Sequence, residues 1–350
     1  MTQAAVVPSS TETASRLAWV DAAKGLSIVL VVFHHTVYFL DTSGLAPAPV
    51  VAGNEALASL RMPLFFLASG LFVAGPLAAP WRTLLHKRVA FFLWLYLLWT
   101  LIRFTFFATL VPSGIDPDDS ANPLNVILAL LLPGPSMWFL YALALFSVLG
   151  KLLRRVPVAV QLAASGALSA LAGAGLLDID SRWVAICRFL FFFLLGWHGK
   201  HLIEGLARAS SLLKVVAAAV VCVAAAGAAV ALGVRTVPGV AWALNCAAVV
   251  FGVLFAAWIS RYGIGRPLVA LGRRTLSIYL IHMLWLAVIV TGIRSLDAPQ
   301  AVAYALPVVI TIALVGLSLT TRWLLVRAGG TWLFAMPGRL AFRFPATQPA

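Results

Sequence analysis

The 350-residue sequence is 62% hydrophobic and 10% charged, with a mean hydropathy of +1.01. Those proportions exclude a soluble domain and indicate an all-α polytopic membrane protein. The net charge of +14 does not signal nucleic acid, because the basic residues recur in short groups between apolar runs and do not cover one hydrophilic domain.

Ten apolar runs can be marked off, at about 19–40, 57–79, 89–111, 136–150, 157–177, 183–199, 212–233, 238–259, 274–292 and 301–326. A bilayer crossing takes about 20 such residues, so about ten transmembrane helices are predicted. Residues 1–15 lack the basic and apolar regions of a cleaved signal and read as a disordered tail. Residues 16–327 form the predicted transmembrane domain, and 328–350 a cytoplasmic tail. The piece Leu124–Leu132, ahead of Pro133-Gly134-Pro135, is too short to span; it packs at the interface or re-enters. Ala217–Leu232, dominated by Ala and Val, reads as a helix that packs through small residues. Cys187, Cys222 and Cys246 fall in apolar runs without metal-ligand spacing, and read as small core residues.

The distribution of Lys and Arg orients the chain. With the N-terminus in the cytoplasm, the cytoplasmic connections hold Arg82, Lys87 and Arg88; Lys151, Arg154 and Arg155; Lys200, Arg208 and Lys214; and Arg261, Arg266, Arg273 and Arg274. The opposite connections carry Asp41, Glu55, Asp178, Asp180 and other acids, with few bases. An N-in, C-in topology follows from the positive-inside rule. No connection is large enough for a soluble catalytic domain, so any chemistry is built from the helices and their ends.

The first helix carries the strongest polar signal. Lys24 and His35 are eleven residues apart, which at about 100° per residue puts both on one face. The rise of about 1.5 Å per residue separates them by roughly 16 Å, about half a hydrocarbon core. Ionisable groups there are costly and usually functional. His35 reads as a functional base, since a neutral imidazole accepts a proton, and His34 as a supporting residue. Asp21 and Lys24, at i and i+3, can pair at the helix start. Alone they would be an interfacial ion pair; with His35 on the same stripe they mark a polar path into the bundle.

Four further stretches carry polar groups in apolar surroundings. Arg61-Met62-Pro63-Leu64-Phe65-Phe66-Leu67-Ala68-Ser69-Gly70 has a proline that frees a backbone carbonyl, and Ser69-Gly70 permits close helix approach. Trp138 and Tyr141, after the Pro-Gly-Pro turn, are either an interfacial aromatic belt or a sugar-stacking platform. Arg188 and Arg103 lie inside apolar runs, with Arg188 the stronger candidate. Finally, Arg273 and Arg274 start a helix carrying Ser277, Tyr279 and His282, the last at a depth comparable with His35. No nucleotide loop, metal-ligand cluster or hydrolase elbow is present, and the intramembrane carboxylates of many proton-coupled transporters are missing.

These motifs, in this order, resemble the membrane-bound acyltransferase-3 family and within it the fucose 4-O-acetylase-like branch. They are Asp21-x-x-Lys24-Gly25 with His35-Thr36, Met62-Pro63-Leu64-Phe65-Phe66-x-x-Ser69-Gly70, Trp138-Phe139-Leu140, Arg188-x4-Phe193-x2-Gly196 and Leu271-Gly272-x4-Ser277-x-Tyr279-Leu280-x-His282. The family's basic residue ahead of its histidine is usually Arg, and here Lys24 fills that place. Its second basic motif is only partly present, as Arg82, Lys87 and Arg88, and a proline common later in that helix is absent.

The resemblance implies an O-acyltransferase, commonly an O-acetyltransferase, working on a hydroxyl of a carbohydrate or lipid-linked glycan in a bacterial inner membrane. Acetyl-CoA or another acyl-CoA would be the donor substrate, with no permanently bound cofactor and no metal. His35 would be the base with Lys24 and Asp21 beside it, and Arg82, Lys87, Arg88, Arg273 and Arg274 are suited to the donor's phosphates. The alternatives are a transporter or flippase moving a glycan or lipid intermediate, and a structural membrane subunit.

Overall fold

The structure, a computed structural model, describes residues 10–111, 120–134, 137–295 and 299–337. Each of the ten apolar runs contains a helix, and no strand occurs among the described residues. The helices are α1 (Ser10–Thr42), α2 (Ala48–Gly70, with a break at Leu57), α3 (Trp81–Leu110), α4 (Trp138–Leu152), α5 (Val158–Gly173), α6 (Ser181–His198), α7 (Leu212–Ala231), α8 (Val240–Ile259), α9 (Thr275–Ile293) and α10 (Gln300–Arg327). Seven of them (α1, α2, α3, α7, α8, α9 and α10) are long and apolar enough to cross a membrane. Residues 1–9 and 338–350 lie outside the described part of the chain, and the tail expectations fall there in large part.

α1 is the hub. It packs on α2, α8, α9, α10 and the short helix Arg266–Gly272. It ends where Thr42 and Ser43 hydroxyls donate to the Phe39 carbonyl and Gly44 turns left-handed at φ 73°. Two close approaches explain why glycine stands in the helical motifs. A Cβ on Gly25 would strike the backbone carbonyl of Leu268, and one on Gly272 would strike that of Asp21. At the α2–α6 crossing, Gly70 and Gly196 are in the same position against the Phe193 and Leu67 carbonyls. Small residues let helix backbones meet, and dispersion accumulates along the seam.

The short helix Pro123–Ile127, followed by a single turn at Leu128–Leu130, occupies the piece too short to span. Lys200–Arg208 is amphipathic, burying Ile203 and Ala207 and setting Lys200 4.0 Å from Glu204, as an interfacial helix does.

α7, rich in small residues, packs on one main neighbour, α8, and sits at the rim of the bundle. Val216, Val220, Val221, Val223 and Val230 are exposed. Alanine gives close approach but little area, so the valines of the helix face outward. The three cysteines are half-buried free thiols and not core residues.

Candidate active site

α1 and α9 cross so that two imidazoles meet. His282 Nε2 lies 3.1 Å from His35 Nδ1, with the rings 5.1 Å apart and tilted. His282 is fully buried, and its Nδ1 is 2.9 Å from the Ile278 carbonyl one turn back. A carbonyl only accepts, so His282 Nδ1 carries its proton. With both rings neutral, His282 Nε2 must accept and His35 Nδ1 must donate. That ordering leaves the lone pair of His35 on Nε2. The orientation comes from the helix itself, because a residue's i−4 carbonyl is always within reach of a suitable side chain.

His34 belongs to a second chain of contacts. Arg61 Nη1 donates to both the Asn54 carbonyl, at 3.1 Å, and Asn54 Oδ1, at 3.0 Å. This fixes the amide so that Asn54 Nδ2 donates to His34 Nδ1 at 3.1 Å. Asn54 and Arg61, both buried, are seven residues apart on α2, so they lie about two turns apart on one face and the long Arg61 side chain reaches back to the amide. His34 and His35 are therefore adjacent but not equivalent. His34 presents Nε2–H, and His35 an unprotonated Nε2.

Both histidines line one cavity of about 520 Å³. Its wall includes Arg61 and Met62 from α2, Trp138 from α4, Arg188 and Phe189 from α6, and Asn245 from α8. Arg235 and Thr236, exposed in the turn after α7, edge the same cavity. Arg188 donates through Nη2 to the Ala172 carbonyl at 3.0 Å, while its buried Nε has no partner among the described residues. Trp138 stacks on Phe189 at 5.8 Å and lies 5.8 Å from Phe66. The lining thus combines aromatic rings with three arginines.

The remaining candidates divide between this cavity and the other end of the bundle. Tyr279 approaches His282, ring to ring at 6.3 Å, and sits edge-on to Phe139. Tyr141 is not at the cavity and packs between Tyr96 and Trp183. The Ser69 hydroxyl donates within its own helix to Phe65, so its part is local. Asp21 pairs with Arg273 at 3.0 Å, whereas Lys24 Nζ stands 4.9 Å from the centre of the Phe72 ring. The direct ion pair of Asp21 is with Arg273, across the tight Gly25–Leu268 contact, while Lys24 remains within the field of the same carboxylate. Lys87 and Arg88 lie in a π-helical turn, Leu85–Val89, at the start of α3, where Arg88 Nε donates to Ser147 at 2.8 Å. They line a separate cavity of about 330 Å³ at the Lys24 end. Arg82 precedes them on the same helix, and Arg274 caps the start of α9. Arg103 is buried, with Nη2 donating to Ser120 at 2.8 Å.

Asn54, Asn245 and Arg235 were not singled out from the sequence, and Arg61 only as part of a packing motif. A lone asparagine inside an apolar run is the signal that could have found Asn245.

An all-helical multi-pass membrane protein with a paired-histidine cavity between its helices is the class that this fold and site define. The chain belongs to the acyltransferase-3 family, whose acyltransferase domain matches residues 17–327. It is also similar to an inner membrane protein of Escherichia coli (strain K12), YcfT, at 28% identity over 157 residues. That match takes in 39% of this chain and 44% of YcfT, so the chain aligns with less than half the length of this relative. No solved structure matches the chain.

Proposed function

We propose that the protein transfers an acyl group, most simply acetyl, from acyl-CoA to a hydroxyl of a carbohydrate or lipid-linked glycan. The observation that carries the reading is the contact of His282 Nε2 with His35 Nδ1 beside a cavity that His35 lines, in a chain of the acyltransferase-3 family. With both rings neutral, that arrangement leaves His35 Nε2 free to accept a proton. A hydroxyl is a weak nucleophile at neutral pH, and a base within hydrogen-bond reach raises its reactivity by about 10²–10⁴-fold. His35 Nε2 takes the hydroxyl proton as the oxygen forms its bond to the thioester carbonyl carbon. The tetrahedral intermediate then breaks its C–S bond, and the proton passes from the imidazolium to the departing thiolate. His282 Nε2, accepting from His35 Nδ1–H, holds the ring while its charge changes.

The donor enters from the end marked by Lys24. Coenzyme A carries several phosphate charges, and Arg82, Lys87, Arg88, Arg273 and Arg274 gather at that end as suitable partners. Its long, thin pantetheine arm then threads between the helices toward His35. The acceptor occupies the cavity on the other side of the histidine pair, with its sugar face against Trp138 and Phe189.

The test is transfer of label from acetyl-CoA to glycans in membranes carrying the protein. His35→Ala should reduce labelling by at least about 10²-fold with protein level and insertion unchanged. Turnover within a few-fold of the parent in that variant overturns the base assignment.

A further inference from the structure

We propose that the acceptor is an anionic sugar, one carrying a carboxylate or phosphate close to the hydroxyl that is acylated. The inference rests on the acyl-transfer reading for what happens to the hydroxyl, but its argument comes from the cavity. Arg61, Arg188 and Arg235 reach that cavity from α2, α6 and the turn after α7, and no carboxylate occurs among its described lining residues. Among the described residues no carboxylate pairs with Arg61 or Arg188. Arg61 donates to the carbonyl and side-chain oxygens of Asn54, and Arg188 to the Ala172 carbonyl, all uncharged acceptors.

A guanidinium away from water is costly until a negative charge joins it, so both gain most from a ligand that supplies one. Arg188 lines the cavity, and a guanidinium there suits a carboxylate or phosphate. A neutral sugar offers hydroxyls that both donate and accept, and it leaves these cations uncompensated. The donor's own phosphates are the obvious rival occupants. They are matched instead by the five basic residues at the Lys24 end, whereas Arg235 is exposed in the turn at the opposite end of α7 from Lys214.

Binding is measured on the full chain in phosphatidylcholine nanodiscs without donor, using methyl glucuronide, glucose 1-phosphate and methyl glucoside as probes. Both anionic probes should bind at least about tenfold more tightly than the neutral one. Arg188→Gln should cut that preference to below about threefold. Arg235→Glu, at an exposed position that leaves folding undisturbed, should cut it at least as far. Equal binding of neutral and anionic probes, binding of none, or a preference that survives both variants overturns the proposal. Loss of coenzyme A binding in Arg235→Glu also overturns it, by assigning the cavity to the donor. Displacement of the probes when phosphatidylglycerol is added does the same in favour of a lipid headgroup. Labelled acetyl-CoA is then supplied. A bound anionic probe that never becomes acylated defeats the transfer reading and leaves the anionic preference standing.

Discussion

At the scale of single residues, the order of protons along Ile278, His282 and His35 decides which nitrogen can act as a base. The chain of contacts is anchored at a backbone carbonyl, which cannot change role, so His282 serves as a positioning residue. His282→Ala should lower kcat about 10–10²-fold, part of what general-base catalysis contributes, while changing KM less than about twofold. His282→Gln offers a side-chain carbonyl near the position of Nε2, and should recover most of the loss. A parallel rise in KM, or no rescue by glutamine, would make His282 a substrate contact or a packing residue instead. Each histidine was legible as an ionisable group inside an apolar run, and their like depth made His282 a plausible neighbour of His35, but the contact itself was not legible. They are 247 positions apart, and helical periodicity says which way a side chain points on its own helix without saying which helix stands opposite. Asn54 was illegible for a related reason. Its significance lies in holding Arg61 and His34 at once, and His34 stands on a different helix that spacing along α2 does not reveal.

At the scale of elements, glycine positions set how closely α1 approaches its partners. Gly25 and Gly272 face each other's strand of chain at backbone contact, so an added methyl meets a carbonyl that cannot swing aside. Gly25→Ala and Gly272→Ala should each destabilise by about 1–3 kcal/mol through overpacking, and should also shift Arg273 from Asp21. Gly227→Ala, in α7 with nothing within 4 Å, should be neutral or slightly stabilising. Thermal melts of the detergent-purified variants, followed by size-exclusion recovery, separate these outcomes. Equal melting of all three would mean that the α1 seam yields more easily than its geometry indicates. Composition alone left the place of α7 open because small residues suit two situations, a tight helix crossing and a lipid-facing rim. Which applies depends on whether a glycine meets a backbone, as Gly25 does, or open space, as Gly227 does.

At the scale of the whole molecule, the open quantity is how many helices cross the membrane, and the chain path offers a test through parity. The three helices below the spanning criteria are consecutive: α4, α5 and α6, of 15, 16 and 18 residues. At about 1.5 Å per residue the longest reaches roughly 27 Å, slightly less than the ~30 Å hydrocarbon core. Yet α3 begins beside the Lys24 end and runs away from it, whereas α7 begins back at that end. Arg261, which follows α8, donates to the carbonyls of Ala207 and Ser210 just ahead of α7, and the helix Arg266–Gly272 then meets α1 at Asp21. Ten crossings follow if the chain passes through the bundle an odd number of times between α3 and α7 by way of the three short helices. Membranes thinned locally, or side chains that snorkel, accommodate spans of this length at modest cost. With ten crossings, Ser43 and Ser211 lie on opposite sides of the membrane; with seven they lie on the same side. In a variant with Cys187, Cys222 and Cys246 replaced, Ser43→Cys should react with an impermeant maleimide from outside intact cells, and Ser211→Cys only after permeabilisation. Thr236→Cys, beside Arg235, should label like Ser43→Cys and would put the cationic cavity on the outer side. Labelling of Ser43→Cys and Ser211→Cys from the same side would reduce α4–α6 to elements that do not cross, and would send the acceptor and donor to the histidine pair by routes other than the two proposed.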